Sequence, residues 1–269
     1  MFRFIGHEVR PGGQYLMFKS FALVAILVSA LTFAAAPRDA CAMTVQPVVL
    51  DLKPSGHQIS STVTVQNSFT TPLPVELTVQ SLDFDENGVH QTGKDPGDLL
   101  VFPAQTLIAP GQTQAFRIQW VGDPVLDKSR HYYVTVAQLP VQLPEGQSAI
   151  QILYNFQVLV NVAASTGGPS ITVQSAAIAK NDKGEPVPRM TVQNAGNSYG
   201  YLSRVRIRIS YADASGKETF RKVMSPEDIQ QQVGFGLIGP GATRKVTLPV
   251  VLPGADGVVK VELLDARGR

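Results

Sequence analysis

The stretch Ser148–Val162 constrains the fold more than any other part of this sequence. Taken by alternate residues, it places Ile150, Ile152, Tyr154, Phe156, Val158, Val160 and Val162 on one side. Ala149, Gln151, Leu153, Asn155, Gln157, Leu159 and Asn161 fall on the other. Successive side chains of a strand point to opposite faces, so strict alternation predicts a β-strand with one apolar face. The run is more than twice the roughly five or six residues of an ordinary strand, too long for one sandwich sheet to cover. Two readings follow. Either this is a long core strand whose ends are covered by loops, or part of its apolar row overhangs the core and is lent to another protein. An uncovered apolar edge otherwise invites aggregation.

The remainder of the chain supports an all-β class. Its 19 prolines and 23 glycines are spread along the 269 residues and separate many short β-rich runs, with no long amphipathic helix pattern. Strands are predicted at Val45–Leu52, Ile59–Gln66, Pro72–Leu82, Leu99–Phe102, Gln114–Val121 and Tyr132–Leu139, before the long one. Leu73, Val75, Leu77 and Val79 point inward in the third. Asn87-Gly88 predicts a type I′ hairpin turn. Seven or so short strands in about 120 residues fit an immunoglobulin-like sandwich. Ser165-Thr166-Gly167-Gly168-Pro169 has the composition of a linker. The pattern then restarts at Ser170–Ala177, Arg189–Gln193, Tyr201–Tyr211, Arg244–Val251 and Val258–Leu264, enough for a second sandwich. The expected architecture is two immunoglobulin-like β-sandwich domains in tandem, residues 43–164 and 165–269.

Residues 1–42 read as a removable leader with an N-terminal extension. Met17 opens a conventional export signal: Lys19 supplies the positive region, Phe21–Ala36 the mostly apolar run, and Ala40-Cys41-Ala42 an A-x-A cleavage site. Met43 is then the mature N-terminus. The apolar run falls short of the 20 or so residues of a membrane span. A lipid anchor on Cys41 is disfavoured by the Arg38-Asp39 pair before it. Cys41 is the only cysteine and leaves with the leader, which removes disulfides and thiol catalysis from the mature chain. The two halves carry opposite charge. Met43–Ala164 holds 10 acidic against 5 basic residues, and Ser165–Arg269 holds 9 against 14. Arg204, Arg206 and Arg208 alternate, as on a solvated sheet face, and no nucleic-acid motif accompanies them.

Motifs for chemistry are sparse. His57, His90 and His131 are scattered over turns and strand ends without metal-ligand spacing. Asp83–Gly88 imitates the first half of a calcium loop, but Lys94 stands where the bidentate Glu is needed. No G-x-S-x-G, phosphate loop or HExxH is present, and no nucleophile has an evident base. The expectation is no enzyme, no cofactor and no metal.

One run carries a resemblance. Phe102-Pro103, then Ala109-Pro110-Gly111-Gln112-Thr113-Gln114, then Arg117-Ile118, precede Asp127-Lys128, Tyr132-Tyr133-Val134-Thr135-Val136, Leu139-Pro140 and the long strand. This order is similar to that of the periplasmic pilus-assembly chaperones of the P-pilus chaperone family. Asn194–Val205 and Gly239-Pro240-Gly241 resemble its second domain. The resemblance implies a periplasmic chaperone that binds pilus or fimbrial subunits by donor-strand complementation, a form of strand addition, and delivers them to an outer-membrane usher. It tips the long strand towards the lent reading, with Ile150, Ile152, Tyr154 and Phe156 as the donor row. The alternative is a structural or adhesive surface protein of two immunoglobulin-like domains. The sequence departs from the family at the basic pair that grips the subunit's terminal carboxylate. Gln157 stands at the long-strand position and Leu50 or Asp51 at the first-strand position. Lys53, Lys94, Arg117, Lys128 and Arg130 are the other bases of the first domain, with Lys128 and Arg130 favoured if a carboxylate is gripped at all.

Overall fold

The computed structural model describes residues 42–140 and 152–264. Alternating apolar runs pair into two sandwiches, one after the other. In the first, β1 (Met43–Gln46), β3 (Ser60–Asn67), β8 (Thr113–Trp120) and β6 (Leu99–Phe102) form one sheet in the order β1-β3-β8-β6. The facing sheet runs β2 (Val49–Leu52), β10 (Asn155–Val162), β9 (Arg130–Gln138) and β4 (Leu73–Asp85). The short strands β5 (Gly88–Gln91) and β7 (Gln105–Ile108) both pair with β4. The core between these sheets takes every second residue: Val63 and Val65, Leu73 to Val79, Phe116, Ile118 and Trp120, Tyr132 to Val136, and Val158 to Val162.

The second sandwich packs β11 (Ile171–Lys180), β12 (Pro186–Asn194) and β17 (Thr243–Thr247) against β15 (Glu218–Met224), β14 (Arg206–Ala212) and β18 (Val258–Leu264). Its core is built on Met190, Val192, Ile207, Ile209, Met224 and Ile238. A two-stranded pair, β13 (Gly200–Tyr201) with β16 (Leu237–Ile238), lies beside it. The helix α1 (Pro226–Gln232) starts at Ser225 with a reciprocal capping box to Asp228 and a proline in its first turn.

Several sequence expectations need correction. The apolar run Val45–Leu52 is two strands in two different sheets, divided at Pro47, which has no N–H to donate to a ladder. Tyr201–Tyr211 is likewise broken by a 3₁₀ turn at Leu202–Arg204. The β4–β5 hairpin is not type I′. Its loop residues Glu86 and Asn87 keep negative φ, and Gly88 alone takes positive φ, at 144°. Asp85 sets this turn by accepting from the backbone N–H of Asn87 and of Gly88, so the calcium-loop imitation is a side-chain-bonded turn. The strands β15 and β16 and the helix α1 escaped prediction, because each is short or mixed in polarity. Among the described residues the long strand is strand over Asn155–Val162; Ile152, Leu153 and Tyr154 precede it as exposed, irregular chain. Ile150 lies outside the described residues.

The hinge half of β10 is also buried on both faces, Leu159 and Asn161 included. A third apolar cluster explains this: Leu82 and Leu159 of the first sandwich pack with Tyr199, Tyr201 and Leu237 of the second. The linker segment is pinned as well. The Ser165 hydroxyl accepts from the Leu126 N–H, and the Asn197 amide donates to the carbonyls of Asp127 and Thr166.

Candidate functional site

The strand β10 is paired unevenly. Along β9 it is bonded over its whole length, from Asn155 opposite Ala137 to Val162 opposite Arg130. Along β2 the parallel pairing begins only at Leu159 opposite Val49. Among the described residues, Asn155–Val158 therefore have no strand on that edge. The next residues outward are apolar and exposed: Ile152 is 69% accessible, Leu153 44% and Tyr154 37%. Phe156 is the transition, half-buried against the first core. Tyr154 leans on Phe69, with ring centroids 6.0 Å apart, and its carbonyl accepts from the Gln138 N–H at 2.9 Å. The structure thus places Ile152, Tyr154 and Phe156 in one continuous stretch beside an open strand edge.

Behind this edge lies the seam between the sandwiches. The Asp51 carboxylate, on β2, receives Tyr201 Oη at 2.7 Å and Arg204 Nη2 at 2.7 Å, both from the second sandwich. Arg204 also stacks on the Tyr201 ring, 4.7 Å from its centroid. Asn161 Nδ2 donates to Tyr201 Oη at 2.6 Å and to Asp51 Oδ1 at 3.3 Å. Since that nitrogen is the donor, Asn161 Oδ1 accepts from His131 Nδ1–H, at 2.7 Å. His131 Nε2 is then a bare acceptor for the Ser129 hydroxyl at 3.1 Å. Phe84 and Tyr199 meet the imidazole edge to face on either side, at 4.8 and 5.4 Å. Burial, above all, pushes the pKa of His131 down to about 4. Burial and the Asp51 carboxylate push both Tyr199 and Tyr201 up. Ser129, His131 and Asn161 have the connectivity of a nucleophile, a base and an orienting amide. An imidazole with so low a pKa is a weak general base at neutral pH, and Ser129 is buried. The ladder's geometry is that of a tie between sandwiches.

The seam is closed at its far end by the β4–β5 hairpin. Glu86 pairs with Lys245 Nζ at 2.8 Å and accepts from the Lys245 backbone N–H. The Arg244 guanidinium packs where Gly88 has no side chain, and its Nη1 donates to the Leu237 carbonyl. A cleft of about 690 Å³ opens on the Arg204 side, lined by Lys53, Ser165, Tyr199, Tyr201, Arg204 and Leu263 among others. Of the first-domain bases weighed as carboxylate grips, Lys53 alone lines it. Arg130 is committed to Asp98, at 2.7 Å, beside the Tyr132 hydroxyl. Gln157 is exposed near the open end of β10. The sequence gives no signal for the Asp51–Tyr201–Asn161–His131 ladder, whose members lie up to 150 residues apart.

Residues 42–161 match the family model of the pili and flagellar-assembly chaperone, PapD N-terminal domain. Over this N-terminal stretch the chain is similar to the pilus-assembly chaperone family. No curated protein matches the sequence. Among solved structures, similar chains include the class 5 fimbriae chaperone CfaA, at 14% identity, TM-score 0.48, covering 82% of this chain and 99% of that one. Another is from the CsuC–CsuE chaperone–tip subunit pre-assembly complex of Acinetobacter baumannii Csu pili, at 13% identity and TM-score 0.49, covering 84% and 94%. A third is from the Salmonella enterica SafA pilin–SafB chaperone complex, at 14% identity and TM-score 0.47, covering 86% and 94%.

Proposed function

We propose that this protein is a periplasmic chaperone that holds pilus or fimbrial subunits by donating the outer part of β10, then passes them to an outer-membrane usher. The observation that carries this reading is the coincidence of a strand edge, Asn155–Val158, unpaired among the described residues, with the exposed apolar residues Ile152, Leu153 and Tyr154 directly outward of it. An open edge offers backbone hydrogen bonds, and an apolar row offers burial at about 25 cal/mol per Å². Together they suit an incomplete sandwich that lacks one strand. The donor row is Ile150, Ile152, Tyr154 and Phe156. Lys53, which lines the cleft, is better placed than Lys128 or Arg130 to meet an acidic chain end. The chain reaches the periplasm through a leader cleaved after Ala42, which N-terminal sequencing of the exported protein checks.

The test is co-expression with the pilus subunits of the source organism, followed by co-purification on the chaperone. The wild type keeps a subunit soluble and brings it down in a one-to-one complex. Replacement of Ile152 by Asp abolishes that complex, because a carboxylate has to enter an apolar groove unpaired. A complex that forms equally well with the Asp variant overturns the donor-strand reading.

A further inference from the structure

We propose that His131 makes the seam between the two sandwiches an acid-sensitive latch: a proton on Nε2 opens the seam while each sandwich stays folded. The inference is independent of what the open edge of β10 binds.

The argument begins with what surrounds the ring. On its own sandwich it meets Ser129, Asn161 of β10 and Phe84 of β4, with Asp51 of β2 one amide further on. From the second sandwich it meets Tyr199, and beyond Asn161 lie Tyr201 and Arg204. Asp83, Asp98 and Arg130 line a cavity of about 340 Å³ that also reaches Ser129 and His131. Protonating Nε2 does not break the bond to Ser129, since a hydroxyl can turn to accept. It does place a positive charge between two aromatic rings. Asp51 is separated from the ring by the Asn161 amide and already carries Arg204. A buried charge without a direct partner is strongly unfavourable. The fall of the His131 pKa to about 4 has the same cause.

How that penalty is relieved follows from which side of β9 the ring occupies. His131 faces the second sandwich, through Tyr199, whereas its neighbours Tyr132 and Val134 face the first core. Drawing the second sandwich away hydrates the imidazole without disturbing Tyr132, Val134 or anything beneath them. The cavity beside Ser129 gives water and protons a way in. The sign is fixed by linkage. The folded-state pKa is depressed, so the stabilising contribution of the neutral ring is complete above its ordinary value of about 6.5. It declines as pH falls from there towards 4.

The experiment follows two properties of the exported chain from pH 7 to pH 3. Small-angle X-ray scattering reports separation of the sandwiches. Emission from Trp120, the only tryptophan, buried in the first core, reports unfolding of that core. The radius of gyration should rise with a midpoint between about 6.5 and about 4 while Trp120 emission stays blue. His131→Gln, neutral throughout, should move that midpoint down by about one pH unit or more. An expansion that coincides with the red shift of Trp120, or a His131→Gln variant that opens at the wild-type pH, overturns the latch. If that variant is unfolded at pH 7, the wild-type His131 ring proton, followed by NMR, decides. Titration together with the expansion supports the latch, and titration near 6.5, or without expansion, overturns it.

Discussion

At the scale of single residues, the two sandwiches are closed by the same device. Asn67 ends β3 and Asn194 ends β12, and both are fully buried. The Asn67 amide nitrogen donates to the carbonyls of Thr71 and Ile108, and its oxygen accepts from the Phe69 N–H. The Asn194 amide nitrogen donates to Ser198, Ile238 and Gly239, and its oxygen accepts from the N–H groups of Ser170 and Gly196. Each residue's own carbonyl accepts from the glycine of a Pro-Gly turn, Gly111 or Gly241, both at a φ of 72° that favours glycine. Truncation to alanine strands several buried backbone groups at once, at about 1–3 kcal/mol for each group left without a partner. Asn67→Ala and Asn194→Ala should therefore each destabilise by about 3 kcal/mol or more in urea unfolding. A loss below about 0.5 kcal/mol, the range of ordinary surface changes, would falsify the assignment. The sequence shows the asparagines and the turns as separate loop signals. Nothing in it joins them, because the joining residues lie some 40 positions apart.

At the scale of elements, period-two patterning carried most of the prediction. Leu73, Val75, Leu77 and Val79 are buried as the alternation requires, and so are Phe116, Ile118 and Trp120. The pattern failed where a second constraint acts. Leu159 and Asn161 sit on the face that alternation alone gives to solvent, yet the second sandwich covers them. The strand β10 thus divides into a hinge half with two buried faces and an outer half whose edge is free among the described residues. This division makes a differential prediction about stability, separate from partner binding. Val160 is fully buried, so Val160→Asp should unfold the first sandwich or lower its melting temperature by more than about 10 °C, as burial of an unpaired charge does. Ile152 is 69% exposed, and Ile152→Asp should leave the melting temperature within about 2 °C, the effect of a surface change. Melting curves of the two variants side by side check it. The reverse order would mean that the donor segment lies at the other end of the strand.

At the scale of the whole molecule, the opposed charges of the halves meet in the seam. Asp51 and Glu86 come from the acidic sandwich, and Arg204 and Lys245 from the basic one. Ion pairs with this much exposure contribute little on their own, about 0–1 kcal/mol each. Burial in the third cluster is the stronger tie, and Tyr201 is its central member. Its ring is 4% exposed and packs with Tyr199 and Phe235, its hydroxyl bonds Asp51 and Asn161, and Arg204 lies over its face. Losing it removes apolar contact from both sandwiches and leaves Asp51 and Asn161 each short of a partner, while neither core cluster loses a residue. Two separate cores joined by one small cluster can unfold together only while that cluster couples them. The wild type should therefore show one calorimetric transition. Tyr201→Ala should split it into two, with Trp120 emission following only the one that belongs to the first sandwich. Tyr201→Phe, which keeps the packing and removes the hydroxyl, should retain a single transition at lower temperature. A single transition in the alanine variant would show that the sandwiches are coupled by the Glu86–Lys245 hairpin contact instead, and the same measurement on Glu86→Ala would then carry the split.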